Sequence, residues 1–69
     1  MNKETDFFIY LLEQYAFYKN STADKILANW ENLNLVDYVY DMYEMYHTER
    51  LENAYADIDN KTQAKNNAR

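Results

Sequence analysis

The chain has 69 residues and a formal net charge of −5, with eight tyrosines and no glycine, proline or cysteine. Glycine and proline make turns easy and stop helices, so their absence points away from sheets and phosphate-cradling loops toward helices joined by short polar turns. Without cysteine there is no disulfide and no thiolate metal site, and a single histidine leaves little for a nitrogen-ligand site.

The first helix is predicted from about Glu4 to Lys19. Phe7, Phe8, Leu11, Leu12, Tyr15 and Tyr18 recur at three- and four-residue steps and form one stripe. Ile9, Tyr10, Ala16 and Phe17 widen it until the helix is apolar around most of its circumference. Such a helix sits centrally or is covered by a second chain. Glu4 and Asp6 in the first turn and Lys19 in the last suit the helix dipole.

Lys19-Asn20-Ser21-Thr22 is the first joint, with Asn20 able to take the left-handed conformation and Ser21 placed as N-cap, Asp24 three residues on. A second helix, about Thr22 to Leu33, puts Ala23, Ile26, Leu27, Trp30 and Leu33 on one side. Asn34-Leu35-Val36-Asp37 is the second joint, with Asp37 as N-cap of a third helix carrying Tyr38, Val39, Met42, Tyr43, Met45 and Tyr46. The pattern resumes at Leu51, Ala54, Tyr55 and Ile58. From Tyr46 to Leu51 is five residues, which at about 100° each displaces the stripe by roughly 140°. A break near His47-Thr48, with Thr48 capping a fourth helix, accounts for the shift better than one helix burying two faces. Residues 60–69 are polar and hold Lys61, Lys65 and Arg69 with no acid, which reads as a basic, fraying tail on a single helical domain of residues 1–59.

The pattern therefore specifies an all-α fold, a compact bundle of three to four short helices, with helices one and two building most of the core. A core of this size supplies only ~3–5 kcal/mol. No apolar run approaches the ~18 residues that cross a bilayer. The opening Met1-Asn2-Lys3-Glu4-Thr5-Asp6 carries acids where a leader needs bases, so the cytoplasm is the expected location.

Charge is unevenly placed. Asp37, Asp41, Glu44, Glu49, Glu52, Asp57 and Asp59 face only Arg50 across residues 37–59. Phosphate backbones are repelled by such a segment, whereas a basic protein is steered toward it. Glu44 and His47 make a Glu-x-x-His pair, the spacing by which one helix contributes two ligands to a di-iron centre. That centre needs a second copy and further glutamates, so a surface charge pair is the plainer reading, and no metal, cofactor or catalytic residue is assigned. His47 has no serine or cysteine nucleophile with an obvious path to it, and a histidine at a helix joint is usually structural.

The third helix offers tyrosine or methionine around its whole girth, more than a core this small encloses. Tyrosine gives large contact area at small entropic cost and methionine adapts to irregular neighbours, so the surplus reads as a binding face. Tyr40, Asp41, Tyr43, Glu44, Tyr46 and Glu52 are its candidate residues. The acids among them read equally well as an ordinary solvated face.

Asn2-Lys3-Glu4-Thr5-Asp6-Phe7-Phe8, the Tyr18-Lys19-Asn20 joint, Leu35-Val36-Asp37-Tyr38-Val39-Tyr40, and His47 with Glu52, Asp57, Ile58 and Asp59 together resemble a family of short bacterial proteins of unknown function. The likeness covers about residues 2–59. Members of that family look like small acidic helical proteins often encoded beside toxin-like genes, some similar to ADP-ribosyltransferases. The resemblance implies an antitoxin-like or accessory binding role and brings no catalytic residue. Where the family more often has glycine in the second joint, this chain has Asn34.

The expected function is a non-catalytic module that binds and neutralises a partner protein through the tyrosine-rich acidic face. Two other classes remain open. One is a homo-oligomeric structural module; the other is an acidic mimic of nucleic acid that blocks a nucleic-acid-binding protein without contacting nucleic acid or membrane itself.

Overall fold

A computed structural model of the protein describes residues 2–67. It contains α1 (Lys3–Tyr18), α2 (Ala23–Asn32), α3 (Val36–Asp41), α4 (Tyr43–Tyr46) and α5 (Leu51–Asn67), and no strand among the described residues. The all-α reading holds. The radius of gyration is 11.3 Å, against about 11 Å for a compact chain of this length.

The two joints after α1 and α2 are built alike. Asn20 and Asn34 have φ of 56° and 57°, the left-handed region that asparagine tolerates better than most residues. Past each, a backbone N–H closes on a helix carbonyl five residues back: Ser21 on Ala16 at 2.8 Å, Leu35 on Trp30 at 2.8 Å. This is the hydrogen bond of the Schellman ending, made here without glycine. Asn34→Ala is expected to lower stability by about 1 kcal/mol, while Asn34→Gly holds it or raises it. Urea unfolding midpoints of the two variants check the order.

Helix starts differ from the sequence reading by a residue or two. Asn2 caps α1, its side chain accepting from the Thr5 N–H at 2.8 Å. Thr22, not Ser21, is the N-cap of α2, and a bond from the Thr22 hydroxyl holds the exposed Asp24 carboxyl below its ordinary value. Leu35, not Asp37, precedes α3, and Asp37 lies in the first turn.

The third predicted helix is divided. At Met42 the backbone leaves helical geometry (φ −83°, ψ 11°), and the Met42 N–H is shared between the Tyr38 and Val39 carbonyls at 3.1 and 3.2 Å. The run Val36–Tyr46 is dense in tyrosine and valine, which lose rotamer freedom against the preceding helical turn, so a kink there comes at little expense in helix propensity. The expected break after Tyr46 is present, since residues 47–50 are not helical. Thr48 does not cap α5, however; its hydroxyl donates back to the Met45 carbonyl at 3.0 Å.

α5 runs on through Asn67, so the polar stretch from residue 60 is helical as far as 67 rather than frayed. Residues 68 and 69, part of the expected tail, lie outside the described residues. The Thr62 hydroxyl bonds the Ile58 carbonyl at 2.8 Å, and Lys65 sits in the last turn, where the dipole favours a cation. α1 and α5 point the same way. Phe7 meets His47 just before α5 begins, and Tyr15 and Tyr18 meet Tyr55 and Asp59 farther along it.

The core comprises Leu11, Leu12, Tyr15 and Ala16 of α1, Ile26 and Trp30 of α2, Leu33 and Leu35 of the joint, and Val39, Tyr46, Ala54 and Ile58. Trp30 is fully enclosed at the centre, meeting Phe8 edge-on at 5.9 Å and Tyr15 at 5.6 Å between ring centroids. α1 and α2 supply half of this set, so α3 to α5 complete the enclosure rather than decorate it.

Candidate functional site

Five tyrosine hydroxyls are used to hold the fold together. On α5, Asp57 and Asp59 flank the fully buried Ile58, and each carboxylate gathers tyrosines from another helix. Asp57 accepts from Tyr46 at 2.5 Å and Tyr38 at 2.6 Å. Asp59 accepts from Tyr15 at 2.5 Å, from Lys19 at 3.2 Å and, more weakly, from Tyr18 at 3.3 Å. The fifth, Tyr40, shares a 2.7 Å bond with the Thr5 hydroxyl and lays its ring against Phe8. Asp57 thus ties α5 to α3 and α4, and Asp59 ties it to α1.

The titration behaviour follows from this geometry. Burial, then the bond to Asp57, pushes the Tyr46 phenol far above its ordinary value; burial and Asp59 do the same to Tyr15. Tyr38 is raised by burial and Asp57. Burial disfavours the charged Asp57 carboxylate, but the two hydroxyls and Lys61 more than offset it, so Asp57 titrates below the usual carboxylate value. Among the described residues no buried side-chain polar atom lacks a hydrogen-bond partner.

Of the six residues expected at a partner-binding face, one is misplaced. Tyr46 is only 2 % exposed and serves the core, because the kink at Met42 and the Asp57 anchor turn it inward. Tyr40 is half-buried over Phe8. Tyr43 is half-buried too, stacked on His47 at 4.1 Å and 3° and meeting Phe7 edge-on at 5.6 Å. Asp41, Glu44 and Glu52 are exposed. Asp41 and Glu44 lie on α3 and α4, whereas Glu52 belongs to the first turn of α5.

His47 is held against the end of α4, with Nδ1 2.6 Å from the Tyr43 carbonyl and the ring flat on Tyr43. Glu44 is exposed beside it. Among the described residues no three His, Asp or Glu side chains are grouped as metal ligands would be. No helix among them is long and apolar enough to cross a membrane. An open groove of about 450 Å³ between α2 and the second half of α5 is lined by Tyr15 and Ile26 together with Asn29, Gln63 and the Lys19–Asp59 pair.

Exposed apolar area lies elsewhere. Phe17 is 84 % exposed, Tyr18 52 %, Tyr10 50 % and Ile9 41 %, all on α1, with Met45 of α4 at 56 %. Tyr10 and Phe17 are seven residues apart, about two turns, and so share one side of the helix. Tyr18 stacks on Tyr55 of α5 at 4.5 Å and 20°. Burial raises the Tyr55 phenol, and the charges of Glu52, Tyr10 and Tyr18 add to the shift. Tyr10, Phe17, Tyr18 and Tyr55 were not among the expected site residues. The signal for them was present in α1, whose apolar residues run too far around the helix for one core face.

Residues 6–65 match the family model described as a protein of unknown function (DUF3791). No curated protein and no solved structure matches the chain significantly.

Proposed function

The chain belongs to the DUF3791 family, and we propose that it works without chemistry of its own, by binding another protein along the outer side of α1. One observation carries the reading: Phe17 stands 84 % exposed in the last turn of α1, directly after the buried Ala16. Burying such a side chain fully is worth about 1.5–3 kcal/mol, and here that gain is left for a partner. Tyr10 and Tyr18 extend the apolar strip to either end, and tyrosine and phenylalanine are enriched where proteins meet.

The face differs from the one the sequence suggested, but its chemistry does not. It remains aromatic and bordered by acids, here Asp6 and Glu13, both exposed. The finer reading, neutralisation of a toxin-like enzyme by covering a basic cleft, is supported by the resemblance and by the net charge of −5.

A photoreactive phenylalanine analogue at position 17, irradiated in the native cell, tests the proposal. The expected result is one dominant adduct with a different protein, lost when the analogue is moved to the exposed position of Asn53. Adducts joining two copies of the chain would turn the reading to self-association. Absence of any discrete adduct from position 17 would remove it.

A further inference from the structure

The outer side of α1 alternates carboxylates with aromatic rings. Asp6, Tyr10, Glu13 and Phe17 follow one another at steps of four, three and four residues, and all four are exposed. At about 100° per residue these steps keep them within roughly 60° of arc. Leu11, Leu12 and Tyr15, on the opposite side of the same helix, are buried. With a rise of about 1.5 Å per residue, the four form a line about 16 Å long, and Ile9 is exposed along one edge of it. The Tyr10 ring has Phe7 beside it at 6.5 Å between centroids. The ion pairs among the described residues are Lys19–Asp59 and Arg50–Glu52, so Asp6 and Glu13 take part in none of them.

Alternating steps of four and three residues are the repeat by which one helix meets another along a seam. An extended strand does not match it. Side chains on one face of a strand recur about every 6.8 Å, against about 5.3 Å along this line, so a strand falls out of step within three contacts. A second copy of the chain matches the spacing but not the charge. Parallel pairing sets Asp6 on Asp6 and Glu13 on Glu13. Antiparallel pairing sets Asp6 beside Phe17 and Glu13 beside Tyr10, covering four carboxylates with no cation among them. Covering a charge without a partner is costly, so the line calls for bases from outside.

We infer that the outer side of α1 is the seat of a basic amphipathic helix of a partner protein. That helix carries lysine or arginine opposite Asp6 and Glu13, and apolar side chains opposite Tyr10 and Phe17. The rings supply contact area, and the two carboxylates set the register and reject acidic helices. The inference rests on the α1 surface being a protein-binding face; it names the element and the charge of the partner that the surface reads.

Titration of the isotope-labelled full chain with stapled helical peptides, followed by nuclear magnetic resonance at fixed ionic strength, tests it. One peptide alternates lysine and leucine at steps of four, three and four residues, starting from lysine, for parallel alignment. The other has the order reversed, for antiparallel alignment. Saturable shifts along α1, centred on residues 6, 10, 13 and 17, are expected with one of the two. None are expected with a peptide of the same composition whose lysines and leucines lie on opposite sides. Phe17→Ala should weaken binding more than tenfold, and Asp6→Asn with Glu13→Gln about fivefold. Glu13→Lys should reject the lysine peptide and accept one with glutamate at the facing position. Glu44→Lys, an equal change of charge on α4, should alter neither result. Absence of saturable shifts along α1 with both peptides would overturn the seam. Shifts spread over the acids of residues 37–59, or an equal effect of Glu44→Lys, would show attraction to net charge alone and overturn it as well. Failure here with intact cross-linking at position 17 removes only the helical partner; failure of both removes the binding surface too.

Discussion

Tyr46→Ala is expected to abolish cooperative folding at room temperature. The side chain is 2 % exposed, so its removal leaves a cavity lined by core residues and withdraws a hydroxyl from Asp57. Truncating a buried aromatic costs about 3–5 kcal/mol, as much as the whole stability of a core this size, ~3–5 kcal/mol. Tyr46→Phe keeps the ring and loses only the hydrogen bond, with Tyr38 still held by Asp57. It should cost about 1–2 kcal/mol and lower the melting temperature by roughly 5–15 °C. Asp57→Asn should cost more than Tyr46→Phe, because two phenols lose their charged acceptor together. Thermal melts followed by circular dichroism order the three. A Tyr46→Ala protein that melts cooperatively within a few degrees of the parent would show the ring to be peripheral, as the sequence alone suggested.

The difference between those two readings of Tyr46 shows where sequence pattern loses its force. In α2 polar and apolar residues alternate cleanly, and Ile26, Trp30 and Leu33 are buried as expected. In Val36–Tyr46 tyrosine, valine and methionine occupy nearly every side, so periodicity assigns no phase. The phase is set instead by the kink at Met42 and by a carboxylate on another helix, and neither leaves a local trace. α1 posed the same problem in reverse. Its excess of apolar positions was legible, but pattern alone left open whether it marked a central helix or one covered by a second chain; part of it lies open to solvent at Tyr10 and Phe17. The second half of α5 misled through composition: asparagine, glutamine and lysine suggest fraying, yet a helix already anchored at Ala54 and Ile58 extends at one hydrogen bond per residue with no new nucleation.

Asp57 and Asp59 account for much of the tyrosine content. Phenylalanine would fill the same space at positions 15 and 46, but only a phenol lets a helix as polar as α5 be fastened by its carboxylates. Ala54 and Ile58 are the two residues of α5 that are buried outright. The tyrosines thus divide by helix side. Tyr15, Tyr38, Tyr40 and Tyr46 face inward or across helices with bonded hydroxyls, and Tyr10 and Tyr18 stand half in solvent. The second group offers a partner the most tyrosine area, which is why the proposed surface lies on α1.

The phenols also make the fold sensitive to alkali. Tyr15 and Tyr46 have an ordinary value of 10.0, and burial together with an adjacent carboxylate raises both in the folded chain. Their contribution to stability is therefore complete below pH 10 and is lost as the pH rises from there toward the folded-state values, since the unfolded chain ionises first. Each phenol that stays protonated only in the folded state removes about 1.4 kcal/mol per pH unit, so the pair removes about 2.7. A stability of ~3–5 kcal/mol is then exhausted within two units, and the protein should unfold cooperatively between about pH 11 and 12. Helix content and tyrosinate absorbance should change together in that interval. Acid has a weaker effect, because the lowered value of Asp57 gives a contribution that is present above the ordinary carboxylate value of 3.8 and lost only as pH falls below it. In a Tyr15→Phe/Tyr46→Phe double variant the alkaline slope should fall to what the raised Tyr38 and Tyr55 phenols contribute, even though its stability at neutral pH is lower. Retention of the helices at pH 12 while all phenols titrate together near 10 would mean that Asp57 and Asp59 do not hold buried tyrosines, and the arrangement of α5 would have to differ.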